Sequence, residues 1–376
     1  MNSRNLLGTV TWAILLWWAN SAAVLGQNDP AADGQLTSIR QGSLPSYSET
    51  AVDQPPCAAC DPGDFGQPSC GPRWTASAEF IILDRLGSVD QPLVSTYPPH
   101  NPIVLGTGTE RLDSNELDQG FAAGPRLDLI RHGDCGYDLE ASFFEIDGWS
   151  SAGSIAPDGG QLPNWLVFAA PGDFVQTTDY PSQSMAWSYA TRLYNAELNV
   201  RWDLCSRVTM LAGFRWVDLG EDLQGTIVPS DRTAPFWSTT TRNNLYGFQL
   251  GEDWKIWSCG RFSIDGVVKA GIFDNDAEET TGVSIYRKVY WESAATNHAA
   301  FLGEIDVQCK YQVTPRLSLK AGYEAIWLQG VALAPAQIPE TVSHGSSLPI
   351  YVQALGVESG SGVFFHGVTA GLEYSF

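Results

Sequence analysis

Residues 362–376 read GVFFHGVTAGLEYSF. In an extended strand successive side chains point to opposite faces. Phe364, His366, Val368, Ala370, Leu372, Tyr374 and Phe376 therefore share one face. Val363, Phe365, Gly367, Thr369, Gly371, Glu373 and Ser375 share the other. Over the last ten residues the first face is apolar and aromatic, and the second is small or polar. An apolar outer face, a polar inner face and an aromatic end are what the closing strand of a lipid-embedded barrel requires. Tyr374 and Phe376 are expected to serve as the assembly signal of such a strand.

Upstream the same alternation recurs over Trp74–Asp84, Gln119–Arg131, Tyr137–Asp147, Tyr189–Trp202, Arg207–Asp218, Asn244–Ile256, Arg261–Phe273, Ala299–Tyr311 and Leu317–Leu328. The clearest case sets Tyr194, Ala196, Leu198, Val200 and Trp202 against Asn195, Glu197, Asn199 and Arg201. An Ala-Gly-apolar triplet returns mid-strand at Ala212, Ala270, Ala321 and Ala370, which is the period of one up-and-down strand pair. Short connections follow every second strand. Long ones span Leu86–Asp118, Gly148–Met185, Gly220–Thr239, Asp274–His298 and Gly330–Ser361. This pattern predicts an all-β fold, a transmembrane antiparallel up-and-down β-barrel of about ten strands. Short periplasmic turns lie at one end and long extracellular loops at the other. Twelve strands result if the loops hold a further pair, and Val283–Trp291 is strand-like.

Aromatic residues fall at both strand ends, as two headgroup layers demand. Trp74, Tyr137, Trp202, Trp254, Tyr311 and Tyr374 are expected to form the ring at the short-turn end. Trp149, Trp187, Trp216, Phe273, Trp327 and Phe364 are expected to form the ring at the long-loop end.

Residues 1–26 have the basic start and short apolar core of a secretory signal peptide. Residues 27–72 are rich in Pro, Gly, Ser and Asp and lack a period, so they read as a flexible periplasmic lead-in to the barrel of 73–376. The lead-in carries Cys57 and Cys60, a candidate disulfide, because no His or second CxxC completes a metal site. Charged residues are only 17% of the chain, yet the net charge is −21. That balance excludes nucleic acid as a partner.

With apolar faces to lipid, parity assigns a lumen charge network to Glu79, Arg126, Asp128, Glu140, Glu197, Arg201, Arg215, Asp265, Lys269, Glu304, Asp306, Lys320, Glu324 and Glu373. Both signs occur with acids in excess, which predicts cross-barrel ion pairs and a narrow path with weak cation preference. The five histidines lie in turns, loops or at the lipid face. They supply no catalytic constellation, so neither an enzyme nor a cofactor is expected.

The chain resembles the outer-membrane porins classed seventh in the putative β-barrel porin series, a family abundant in planctomycetes. The resemblance rests on Gly71-Pro72-Arg73-Trp74 leading to Ala78-Glu79-Phe80, on Gly124-Pro125-Arg126-Leu127, on Tyr137-Asp138-Leu139-Glu140 and on Tyr194-Asn195-Ala196-Glu197-Leu198. Leu211-Ala212-Gly213-Phe214-Arg215, the run Leu328–Pro335 and Phe376 complete it. Outer-membrane lipid, the barrel-assembly machinery through the C-terminal strand, and small solutes or ions are the expected partners of such a barrel, and the resemblance itself implies an outer-membrane barrel and little more. It supplies no catalytic residue. The alternative is a non-conducting structural or adhesive barrel, and a barrel-type surface hydrolase is the weakest reading.

Overall fold

The computed structural model describes residues 73–376 except 88, 98–108, 134–135, 157–164, 169–183, 229–234, 286–287, 340 and 345–350. The signal peptide, the lead-in and the Cys57/Cys60 pair lie outside the described residues. In chain order the strands are β1 (Trp74–Leu86), β2 (Pro92–Tyr97), β3 (Thr109–Asp113), β4 (Phe121–Arg131), β5 (Tyr137–Ile155), β6 (Trp165–Phe168), β7 (Ser184–Cys205), β8 (Val208–Val228), β9 (Phe236–Cys259), β10 (Phe262–Ile285), β11 (Lys288–Gln312), β12 (Leu317–Val331), β13 (Thr341–His344), β14 (Tyr351–Ala354) and β15 (Ser361–Ser375). Ten of them close a barrel in the order β1-β15-β12-β11-β10-β9-β8-β7-β5-β4, and every pair is antiparallel. Closure removes sheet edges, which is the condition for strands to cross lipid.

The seam joins β1 to β15 from Thr75↔Ser375 to Leu86↔Phe364. At its lower end Phe376 O accepts from the N–H groups of Arg73 (2.9 Å) and Trp74 (3.0 Å), and Phe376 N donates to Trp74 O (2.8 Å). The recurrent Ala-Gly-apolar triplet has a packing reason. A Cβ on Gly371 would sit 2.2 Å from Ala78 O, and one on Gly213 2.2 Å from Leu198 O, so these strands approach too closely for a side chain.

Three of the long connections expected from sequence carry continuations of barrel strands at both ends. β7 to β11 run 22, 21, 24, 24 and 25 residues, whereas a tilted strand crosses a bilayer in about 9–11. Residues 148–155, 184–185, 220–228, 236–239, 274–285 and 288–298 therefore extend these strands beyond the lipid-facing band. Val283–Ile285 and Lys288–Trp291 pair with each other as the far ends of β10 and β11 and add no further barrel strand. Two small sheets, β3-β2-β6 and β13-β14, occupy the remaining connections.

Both faces reverse their character at one level. The outer face of β10 is apolar through Ile272, 73% exposed, and then carries Asp274, Asp276 and Glu278. On β9 exposed Leu250, Phe248 and Tyr246 give way to Asn244 and Arg242. Inside, the order is opposite. Glu197, Arg215 and Glu304 lie below, and Leu193, Val217, Leu219, Leu245 and Phe273 above, all buried. The barrel is thus inside-out within lipid and packed like a soluble protein above it.

This reversal corrects the upper aromatic ring. Trp149, Trp187 and Phe273 are 0–2% exposed and point inward. For Trp149 the cause is a bulge: Gly148, at φ +150°, shifts the register between Asp147 and Trp149 and moves Trp149 to the other face. Trp187 and Phe273 lie on inward parity in unbroken strand, where the interior is apolar.

Candidate functional site: the charged layer and its apolar cover

The bore is stacked in two layers. The lower layer collects charged side chains from every wall of the barrel. Arg215, 0% exposed, donates from Nη1 to Glu304 (2.7 Å) and from Nε to Asn195 Oδ1 (2.6 Å), and pairs with Glu197 at 3.4 Å. Lys269 reaches the same two acids, Glu197 at 3.0 Å and Glu304 at 3.1 Å. Arg126 pairs with Glu324 at 2.6 Å, Arg201 bridges Glu140 and Asp253, and Lys320 pairs with Glu79. Lys310 joins Asp265 (3.2 Å) and Glu373 (3.4 Å). Asp128 accepts from Ser77 (2.7 Å) and Ser142 (2.5 Å), and Asp306 accepts from Gln308 (2.8 Å).

All fourteen residues named from sequence face this layer. Two members were missed, Asp253 and Lys310. Lys310 continues the parity of Glu304, Asp306 and Gln308, and Asp253 that of Gln249, so the alternation carried the signal for both. With them, ten carboxylates (residues 79, 128, 140, 197, 253, 265, 304, 306, 324 and 373) meet six cations (residues 126, 201, 215, 269, 310 and 320). A cavity of about 130 Å³ lies within this layer and extends toward the short-turn end, where Thr75, Ile130 and Glu373 line it. That leaves room for a small water cluster.

The upper layer is largely apolar. Each of the ten barrel strands sends at least one buried apolar side chain into one contiguous cluster, among them Leu83, Ala122, Phe144, Leu193, Val217, Leu245, Phe273, Leu302, Ile326 and Phe365. Trp149 packs on Phe365 at a centroid distance of 5.1 Å and donates its indole N–H to Leu83 O (2.9 Å). Over this layer lies the buried segment 331–338, whose 3₁₀ turn spans Ala334–Gln337. Asn243 fastens it at both polar groups of Ala332, accepting from N (2.7 Å) and donating to O (2.8 Å). Glu221 accepts from Ala334 N (2.9 Å) and from Tyr189 OH (2.6 Å), and it also holds the Arg85 guanidinium.

Near the short-turn end, His132 donates or accepts between Thr75 Oγ1 (2.9 Å) and Asp138 Oδ2 (2.7 Å), and Thr75 Oγ1 meets Ser375 Oγ at 3.0 Å. From sequence His132 is a turn histidine with no catalytic role. The order acid, imidazole, hydroxyl resembles a hydrolytic relay, but the Ser375 N–H is committed to Arg316 O (2.8 Å) and the hydroxyls to each other. The arrangement ties the β4–β5 turn to the closing seam. His366, on the lipid face, accepts or donates at Nδ1 to Tyr323 OH (2.7 Å).

The putative beta barrel porin-7 family matches residues 74–376, the whole of the barrel. The chain belongs to this family. No curated protein matches it in sequence. Among solved structures it is similar to the outer membrane protease OmpT from Escherichia coli, at 12% identity, 81% of this chain and 96% of that one, with a TM-score of 0.42. It is similar also to the Ralstonia pickettii toluene transporter TbuX (8% identity, 81% and 90% covered, TM-score 0.34) and the P. putida toluene transporter TodX (10%, 82% and 91%, 0.31). These likenesses are shallow, and nothing about substrate or chemistry follows from them. Membership in the porin family and the closed barrel make the chain an outer-membrane-type β-barrel.

Proposed function

We propose that this porin-family barrel resides in the outer membrane as a narrow porin, shut at rest, whose charged layer favours cations when the bore opens. One observation carries the reading: a charged layer with ten acids to six bases lies directly beneath an apolar layer built from all ten strands. Water and ions do not cross a packed apolar layer, because an ion there loses its hydration without compensation. Passage of a small solute therefore requires the apolar layer and the 331–338 segment to part. The excess of carboxylates then concentrates cations on the short-turn side.

The second reading is a sealed structural barrel that carries its extended hairpins outside the cell. The contribution of all ten strands to the apolar layer favours it. A barrel-type hydrolase gains no support, since the His132 cluster is spent on the seam.

Planar-bilayer recording on refolded protein separates the readings. A shut porin gives no standing conductance and small voltage-driven openings that select potassium over chloride. Silence at every potential, from protein with heat-modifiable gel mobility, assigns the sealed structural barrel. A wide standing conductance, or anion selectivity, overturns the proposal.

A further inference from the structure

Asp306 on β11 and Glu324 on β12 are direct cross-strand partners. Both point into the bore, at 6% and 0% exposure. Facing side chains on adjacent strands have Cβ atoms only about 5 Å apart. Each carboxylate nevertheless leaves one buried oxygen without a hydrogen-bond partner, Oδ1 of Asp306 and Oε2 of Glu324. Glu324 spends its other oxygen on Arg126, and Asp306 spends its other oxygen on the Gln308 amide. Among the described residues no Lys or Arg forms an ion pair with Asp306. The remaining cations of the layer are engaged with other acids.

The local charge is therefore uneven. Arg126 pairs with Glu324, and Asp306 stays buried with no direct counter-ion. An unpaired buried carboxylate is costly and is ordinarily met by a counter-charge. Asp306 also lines the cavity of the charged layer, whereas Glu324 does not, so an ion reaches the pair from the Asp306 side. We propose that Asp306 Oδ1 and Glu324 Oε2 are two ligands of a monovalent cation site, with water from the cavity completing the shell.

A single charge matches the one acid of this pair that has no direct counter-ion. A divalent ion of calcium type needs six to eight oxygens, more anionic than this pair and its waters provide. The site deepens the cation preference proposed above by naming where a permeating or resident ion would pause. Its test does not use conduction, so a silent barrel leaves it standing.

The probe is sodium, with N-methyl-D-glucamine chloride as a bulky control at equal ionic strength. Thermal unfolding of refolded barrel in detergent micelles at pH 8 should shift upward and saturate with sodium, and not with the control. The ²³Na resonance should broaden on the same protein. Asp306→Asn removes the charge that has no direct counter-ion while keeping the shape, so it should raise the midpoint in the control salt. It should also weaken the sodium response at least ten-fold. Glu324→Gln frees Arg126 for Asp306 and should abolish the response by a second route. Coincident sodium and control curves for the wild type overturn the site, as does an unchanged response in Asp306→Asn. If the midpoint follows pH between 5 and 9 and ignores sodium, a proton neutralises the pair and the site is refuted. Should neither variant fold, the sodium broadening of the wild type decides alone.

Discussion

Replacing Arg215 by Met tests whether the charged layer is a cooperative network. Arg215 is fully buried and gives charged hydrogen bonds to Glu304 (2.7 Å) and to Asn195 (2.6 Å), with Glu197 at 3.4 Å. Methionine fills much of the same volume, so the cavity contribution is small. What changes is the charge: Glu197 and Glu304 are left sharing Lys269 alone. Removing one partner of a buried ion pair costs about 3–5 kcal/mol, because the other charge stays buried. That corresponds to a fall of two to four orders of magnitude in the folding constant at about 1.4 kcal/mol per tenfold. Adding Glu304→Gln removes the orphaned charge. Replacing a whole buried pair by neutral groups is nearly neutral. The double variant should therefore recover most of the loss, with a coupling energy of about 2 kcal/mol or more. Urea unfolding in liposomes, followed by the fluorescence of the 11 tryptophans of residues 73–376, reads both numbers. A loss under about 1 kcal/mol for Arg215→Met would refute the network, as would simple additivity in the double variant.

Three further outcomes are expected. Deleting Phe376 removes three backbone hydrogen bonds at the β1–β15 seam, so the yield of heat-modifiable barrel in the membrane should fall while secretion is unchanged. Trp149→Ala takes a wholly buried ring out of the apolar layer and should cost about 3–5 kcal/mol in the same unfolding assay, with normal strand content by circular dichroism. The third concerns the small sheet above the barrel, where oxygens of Asp90, Glu110 and Asp113 lie within 4.8 Å of one another. Asp90 is pushed up by its hydrogen bond to Asp113 and by that charge, and Glu110 by burial and then by Asp113. For carboxylates raised on folding, the stabilising contribution is full below the unfolded value near 4 and is lost as pH rises through the raised values. Amide exchange in β2 and β3, corrected for intrinsic rates, should be less protected at pH 7 than at pH 4. Asp113→Asn, which can still cap the Asn115 N–H, should flatten that dependence.

The sequence by itself determined everything that depends on the two-residue period of a strand. Alternation placed Glu79, Arg126, Glu197, Arg201, Arg215, Glu304 and Glu324 on the inner face, because parity is a local property that survives closure of the barrel. Ten strands and the closing role of residues 362–376 followed from the same period. Parity does not say which medium each face meets. Above the lipid the outer face turns polar and the inner face apolar, so the long hairpin ends read as loops and Trp187 and Phe273 as girdle residues. A single bulge at Gly148 was enough to move Trp149 inward. Tertiary structure alone decided which charges meet and what closes the bore. Arg85 contacts Tyr189 and Glu221 from 104 and 136 residues away, and Asn243 holds Ala332 from 89. Such contacts exist only once the first strand has met the last and all ten walls surround one bore.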